Sequence, residues 1–395
     1  MRRPACGFAA AAPKPRASGS KAWRRVVPLL AAATLVGCGT FGSDREMPPL
    51  PEFVAEARLE LAWKTRVAGS PVYHPAPAVI GRQSVIVAGV DGVVERRDDG
   101  QQKWRVDLDR PLSAGVGSDG RLAVVITQSG DAIALDAADG SEKWRAKVGA
   151  EVLAVPAVTG IAVAVRASDS RVFGFSPADG RRMWVYQRPT PALALRASVG
   201  MLTDENVGVT GFPGGKMVAI NLSNGGALWE LTVALPKGTT ELERIADVVG
   251  TPVLAGRNIC AVAFQGRVAC FDARDGNLVW SREISSAVGL TTDGSHIYLT
   301  DEGDAVIALD AATGASVWKQ DKMAGRAVGR PLLLGDFVLV SDAQAYVSML
   351  RRDDGALVAR AETDGSGVAV PLEPLAKDRV AVQTVDGGIF VFIAR

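Results

Sequence analysis

Histidine is the scarcest of the residues that could do chemistry in this 395-residue chain: His74 and His296 are the only two, and they stand far apart. A zinc site built on imidazoles would have to recruit carboxylates, and no C-x-x-C pair exists to build one on thiolates. Acidic residues recur in D-x-x-D-G strings such as Asp136 to Gly140. These invite a calcium reading, but an EF-hand loop needs alternating acids followed by a Glu at its twelfth position. No G-x-S-x-G elbow occurs, nor a phosphate loop followed by Lys and Ser or Thr. The residues therefore nominate no catalytic group, no metal ligands and no cofactor-binding residue, and the Asp-Gly strings are expected to be turns.

Those turns belong to a repeat. Trp63, Trp104, Trp144, Trp184, Trp229, Trp280 and Trp318 follow one another at intervals of 41, 40, 40, 45, 51 and 38 residues. A period near 40 built of short strands is the signature of a propeller blade. The phrases that end on these residues match slot by slot: A-L-D-A-A-D-G-S-E-K-W at 134–144, A-L-D-A-A-T-G-A-S-V-W at 308–318 and C-F-D-A-R-D-G-N-L-V-W at 270–280. An alternating strand leads to an Asp, Asn or Ser that can accept backbone N–H bonds, and the Gly supplies a positive φ. The Trp then opens the next strand as a flat wedge between sheets, with an N–H available to a backbone carbonyl. The last copy carries Val358 where Trp belongs.

A second tight turn precedes each phrase, at Asp91-Gly92, Ser129-Gly130, Ser168 to Ser170, Pro213 to Gly215, Gln265-Gly266, Glu302 to Asp304, Ala343-Gln344 and Asp386 to Gly388. These make eight hairpins. The eighth, at 379–394, lacks its Trp strand, whereas 59–67 has Trp63 but no hairpin before it. Pairing the two removes the open sheet edges. The expected fold is all-β: an eight-bladed β-propeller of four-stranded antiparallel blades, occupying 59–395 and closed by the N-terminal strand on the C-terminal hairpin. The longest intervals place surplus residues at 187–197 and 235–252, and loops held on a rigid scaffold are where function concentrates.

Residues 1–37 hold seven Lys or Arg and no acid, and precede an apolar run at 26–36 that is too short to span a bilayer. This is the pattern of a signal peptide. The run ends Leu35-Val36-Gly37-Cys38, which resembles a bacterial lipobox and implies lipidation of Cys38. Gly39 rather than Asp follows, so outer-membrane attachment facing the periplasm is expected. Residues 38–58 are proline-rich and aperiodic, the expected tether, with a reach on the order of 60 Å. Without 1–37 the chain carries 37 basic and 43 acidic residues. A mildly acidic body argues against a nucleic-acid partner. In the hairpin I-C-A-V-A-F-Q-G-R-V-A-C-F, a two-residue turn would put Cys260 and Cys270 on opposite faces, while a three-residue loop would oppose them and permit a disulfide.

Two families share features with this chain. The tryptophan phrase resembles the docking motif of quinoprotein dehydrogenases, propellers that hold pyrroloquinoline quinone and calcium, but the adjacent cysteines of their alcohol-oxidising group are missing. Lipobox, proline-rich tether and bare eightfold ring together resemble the BamB family of outer-membrane lipoproteins. Two stretches sharpen that likeness: A-L-A-L-R-A-S at 192–198 is similar to that family's S-L-S-L-R-G-x-S, and T-T-E-L-E-R-I-A-D-V-V-G-T-P at 239–252 to T-T-E-I-D-R-L-S-D-V-D-T-T-P. The resemblance implies a non-catalytic scaffold whose loops bind a POTRA domain of BamA and assist insertion of β-barrel proteins, with no cofactor. Carried over by position, it implicates Leu193, Leu195, Arg196 and Asp247; Val249 replaces the family's second acid. Leu193 and Leu195 point one way, as core on a strand or as an apolar anchor on a loop. Arg196 is free to pair with Asp247 or with a partner's charge. Two other readings stand beside the scaffold: a quinoprotein-type dehydrogenase, and a periplasmic ligand-binding propeller, for which solvent-facing aromatics near the axis are expected.

Overall fold

In the computed structural model the described residues are 47–69, 76–81, 83–368 and 371–395. The signal sequence, Cys38, the tether as far as residue 46 and His74 lie outside them. Among the described residues every regular element is a strand, and the strands form eight four-stranded antiparallel sheets. Blade one runs Ala78–Ile80, Ser84–Ala88, Val93–Asp98 and Gln101–Asp107 in consecutive order across its sheet. Blades two to seven repeat that order. The eighth combines Glu373–Ala376, Arg379–Gln383 and Gly388–Ala394 with Leu59–Arg66, which pairs antiparallel to Gly388–Ala394 and sets Trp63 opposite Val391. The first strands of successive blades contact one another around the ring, and that of blade eight reaches that of blade one. The expected closure is thus formed.

Burial follows position across the blade. Second and third strands, sandwiched by neighbouring blades, are apolar and buried through most of their length, as in Leu122–Ile126 and Asp131–Asp136. The fourth strand alternates: in Glu142–Lys147 only Trp144 is buried. Five of the repeat tryptophans lock their blade to the next by a hydrogen bond. Trp104 Nε1 donates to Ala137 O (3.1 Å), Trp144 to Pro177 O (2.9 Å), Trp184 to Leu222 O (2.7 Å), Trp280 to Ala311 O (2.9 Å) and Trp318 to Arg352 O (2.7 Å). The repeat Gly lies against the indole that arrives from the preceding blade. At Gly140 (φ +78°) a Cβ would fall 2.7 Å from Trp104 Cε3, so the position excludes side chains by sterics as well as by backbone conformation. Two links are weaker. Trp229 is half-buried and Gly276 meets Leu231 in place of an indole, while the buried Trp63 Nε1 finds no hydrogen-bond partner.

The tether is docked from residue 47 onward, shortening the expected tether of 38–58. Pro48 O accepts from the fully buried Arg326, which also pairs with Asp342 (2.7 Å). Pro51 O accepts from Arg360 (3.1 Å), whose guanidinium sits 5.0 Å from the Phe53 ring. The amides of Glu56 and Ala57 both donate to Val358 O (3.1 and 3.3 Å). The physical reason is that a proline-rich segment makes no hydrogen bonds within itself, and Arg360 of blade seven and Arg326 of the connection leading into that blade supply them. Ala57 and Leu59 pack on the cluster that contains Val358. The strap thereby covers the blade that lacks a tryptophan.

Cys260 and Cys270 are directly opposed, with Cα atoms 4.1 Å apart, and form a disulfide. Ala263 N donates to Arg267 O, which leaves Phe264, Gln265 and Gly266 as a three-residue loop. The extra loop residue moves the register by one, bringing both sulfurs to one face.

Candidate functional site

In a four-stranded antiparallel blade, the turn between strands two and three and the connection to the next blade lie on the same face of the ring. Two long connections meet there. One, 188–200, joins Arg182–Gln187 of blade three to Met201–Asp204 of blade four; the other, 233–247, joins Ala227–Thr232 of blade four to Val248–Ala255 of blade five. The segment 192–198 is irregular, so its alternating leucines belong to a loop and not to a blade strand.

Asp247 ties these loops together. Its Oδ2 accepts from Leu195 N (2.6 Å) and its Oδ1 from Gly214 N (3.0 Å), so one carboxylate joins 188–200, 233–247 and the Pro213 to Gly215 turn. Asp247 O also accepts from Phe264 N (2.8 Å). The residue is only 4% exposed, a cost met by these bonds and by the charge of Arg166. Arg166 is buried too, donates to Gly211 O (3.0 Å) and lies 5.3 Å from the Phe212 ring; burial brings its pKa down to about 10 against the opposing pull of Asp247.

The sequence-derived site residues thus separate into different environments. Leu193 is 42% exposed, Leu195 is half-buried against the core between blades five and six, and Asp247 is buried. Arg196 does not pair with Asp247: its guanidinium meets Glu151 of the blade two to three connection at 2.6 Å, both side chains being about half exposed. Asp247 is consequently a poor candidate for direct contact with a partner, because both of its oxygens are occupied inside the molecule. It holds the positions of residues that are exposed.

The second loop is shaped locally. Thr240 and Glu243 form a capping box: Glu243 N donates to Thr240 Oγ1 (3.2 Å), and Glu243 Oε2 accepts from Thr240 N (3.1 Å) and Thr239 N (2.7 Å). Those N–H donors hold the Glu243 carboxyl down to about 2. The turn that follows displays Leu242, 66% exposed, and Leu235 earlier in the loop is 62% exposed. Sequence reasoning passed over Arg166, Glu151, Leu235 and Leu242. The T-x-x-E capping pattern was a readable signal for the turn, whereas nothing local marks Glu151 as the partner of Arg196.

This face offers the exposed side chains of Leu193, Leu235 and Leu242 and the half-exposed Arg196–Glu151 ion pair. Among the described residues no group of three His, Cys, Asp or Glu side chains could hold a metal ion.

A family profile described as "Outer membrane protein assembly factor BamB" matches residues 90–320 and 304–395. Curated relatives of that name include one from Bordetella pertussis, 41% identical over 375 residues (93% of this chain, 96% of the relative). Another, from Escherichia coli, is 33% identical over 384 residues (92% and 96%). The crystal structure of BamB from Moraxella catarrhalis superposes with a TM-score of 0.79 at 26% identity, covering 85% of this chain and 99% of that one. A quinohemoprotein alcohol dehydrogenase from Comamonas testosteroni gives a TM-score of 0.66 at 14% identity, covering 85% and 76%. That likeness is one of fold alone.

Proposed function

The chain belongs to the BamB family of outer membrane protein assembly factors, and from that premise we propose that it is a non-catalytic scaffold of the outer-membrane β-barrel assembly machinery. The joined loops 188–200 and 233–247 bind a POTRA domain of BamA, and lipid on Cys38 holds the protein at the periplasmic face of the outer membrane. The observation that carries the site is the clamp at Asp247, which ties two long loops together while Leu193, Leu235, Leu242 and the Arg196 side chain on those loops stay exposed. Preset apolar anchors with an adjacent arginine suit a docking surface, because little conformational freedom remains to be lost on binding. Leu193 and Arg196 touch the partner, Leu195 supports them from its half-buried seat, and Asp247 positions all three. Orienting BamA's periplasmic domains is the scaffold's contribution to barrel insertion. Outer strands with exposed side chains such as Leu228 and Val317 are edges on which an extended barrel segment could add by β-augmentation.

The test is co-purification with BamA. Leu193→Ser combined with Arg196→Ala is expected to weaken binding about 100-fold or more, in line with two hot-spot truncations. Both positions are exposed, so the thermal melt should stay close to that of the parent. Undiminished recovery of BamA by a folded double variant would refute the site.

A further inference from the structure

A cavity of about 860 Å³ occupies the axis, inside the ring of first strands. Its described lining is mostly Ala, Val, Gly and Pro, contains no aromatic side chain, and includes only three titratable groups: Arg196, Arg330 and Glu373. Arg196 is already engaged with Glu151. Arg330 leads into the first strand of blade seven, and Glu373 begins that of blade eight. The aliphatic stem of Arg330 runs past Gly289, where a Cβ would sit 3.5 Å from Arg330 Cδ. Its Nε is shut off from solvent with no hydrogen-bond partner, and no other bond or ion pair of its guanidinium is found among the described residues. Burial lowers the Arg330 pKa and pushes the Glu373 carboxyl up to about 7, each partly opposed by the charge of the other.

A guanidinium nitrogen shut off from solvent without an acceptor is unfavourable, and the half-buried Arg330 that carries it lines a void large enough for a ligand. We propose that the axial channel binds a small molecule carrying an oxyanion, carboxylate or phosphate, on a compact apolar body, with the Arg330 guanidinium as the receptor for the anion. The planar fork of arginine matches both oxyanions. The lining of small aliphatic residues suits an apolar body. The missing aromatics remove the stacking platform that a sugar or flat ring would use, so the expected mark of a sugar-binding propeller is not present along the described channel wall. Glu373 opposes the anion, since any ionised fraction of its carboxyl repels it. Loop 188–200 reaches this channel through Arg196, Ala197 and Ser198, but the proposed receptor is Arg330, which has no part in the proposed BamA-binding site, and anion binding is read without BamA.

Calorimetric titration of the full-length protein in detergent, at fixed chloride concentration, tests the proposal with inorganic phosphate in one arm and hexanoate in the other. Saturable binding in at least one arm is expected, and the arm that binds identifies the oxyanion. Arg330→Gln should weaken it at least tenfold, and Glu373→Gln should tighten it at least threefold by removing the opposing charge. Absence of saturable binding in both the parent and Glu373→Gln overturns the proposal. So does a folded Arg330→Gln variant that binds as the parent does. If Arg330→Gln does not fold, Glu373→Gln decides alone: tighter binding supports the receptor role, and unchanged affinity overturns it.

Discussion

The Asp247 carboxylate accepts backbone N–H bonds from Leu195 and Gly214 at once, so replacing it with Asn converts one acceptor oxygen into a donor that faces an N–H. The substitution also removes the counter-charge of Arg166. A loss of about 1 to 3 kcal/mol in chemical denaturation is expected, with weaker binding of BamA although Leu193 and Arg196 are untouched. Glu373 makes the opposite kind of prediction. Its folded-state pKa of about 7 lies above the ordinary value of 4.5, because burial outweighs the charge of Arg330. The folded protein therefore holds this proton more tightly than the unfolded chain, and the stability it confers is full below pH 4.5 and lost as pH rises through 7. Glu373→Gln should match the parent near pH 4 and exceed it above pH 7, by at most on the order of 3 kcal/mol. Parallel denaturation curves at the two pH values would reject this. The two loops were legible because they interrupt the period, and the four residues on them were singled out by the family resemblance. Their separate roles were not legible, since burial at Asp247 and the reach of Arg196 to Glu151 depend on other blades.

Between neighbouring blades, the tryptophan of one repeat and the glycine of the next form one contact. Trp144 donates to Pro177 O and packs on Gly180 of the next blade, so Trp144→Ala removes packing and a cross-blade hydrogen bond and should cost about 3 to 5 kcal/mol. Trp229 is half-buried and has no corresponding bond among the described residues, and Trp229→Ala should cost less than half as much when both are measured by urea denaturation. The phrase itself was readable because turn residues and strand alternation are local. That its glycine serves the indole of the preceding repeat was not readable, because the two residues are 36 positions apart in the case of Trp144 and Gly180. The disulfide is a second case. Its sequence separation of 10 closes a small loop, so joint replacement of Cys260 and Cys270 by Ser should lower stability by about 2 to 3 kcal/mol. Reducing agent should bring the parent to a similar value. The sequence left two turn lengths open at Gln265-Gly266, and one residue of loop decided between opposite faces and a bridge.

At the scale of the whole ring, closure rests on Leu59–Arg66 and on the strap before it. The strap supplies carbonyl acceptors to Arg326 and Arg360 and lies along the blade that carries Val358. Removing residues up to 46 should leave the ring monomeric and as stable as the parent. Removing residues up to 66 uncovers the Gly388–Ala394 edge and a run of its apolar neighbours, so association or aggregation is expected in size-exclusion chromatography. Monodisperse, fully stable protein after the longer deletion would contradict the role given to closure. Docking from residue 47 leaves nine residues, Cys38 to Glu46, between the proposed anchor and the docked strap, and nine residues reach at most about 30 Å, half the reach expected for the longer segment.

By itself the sequence determined the period, the strand and turn residues, the eight blades and the pairing of Trp63's orphan strand with the final hairpin. Each of these follows from local alternation and turn chemistry repeated until the leftovers at the two ends complete one another. The tertiary structure alone decided that Arg196 meets Glu151, that Asp247 is a buried clamp, that the cysteines oppose, and that Arg330 faces the channel without an acceptor. Those outcomes depend on distances between side chains or loops from different parts of the ring, or on a one-residue register at a turn, and such distances take values only once the ring has closed.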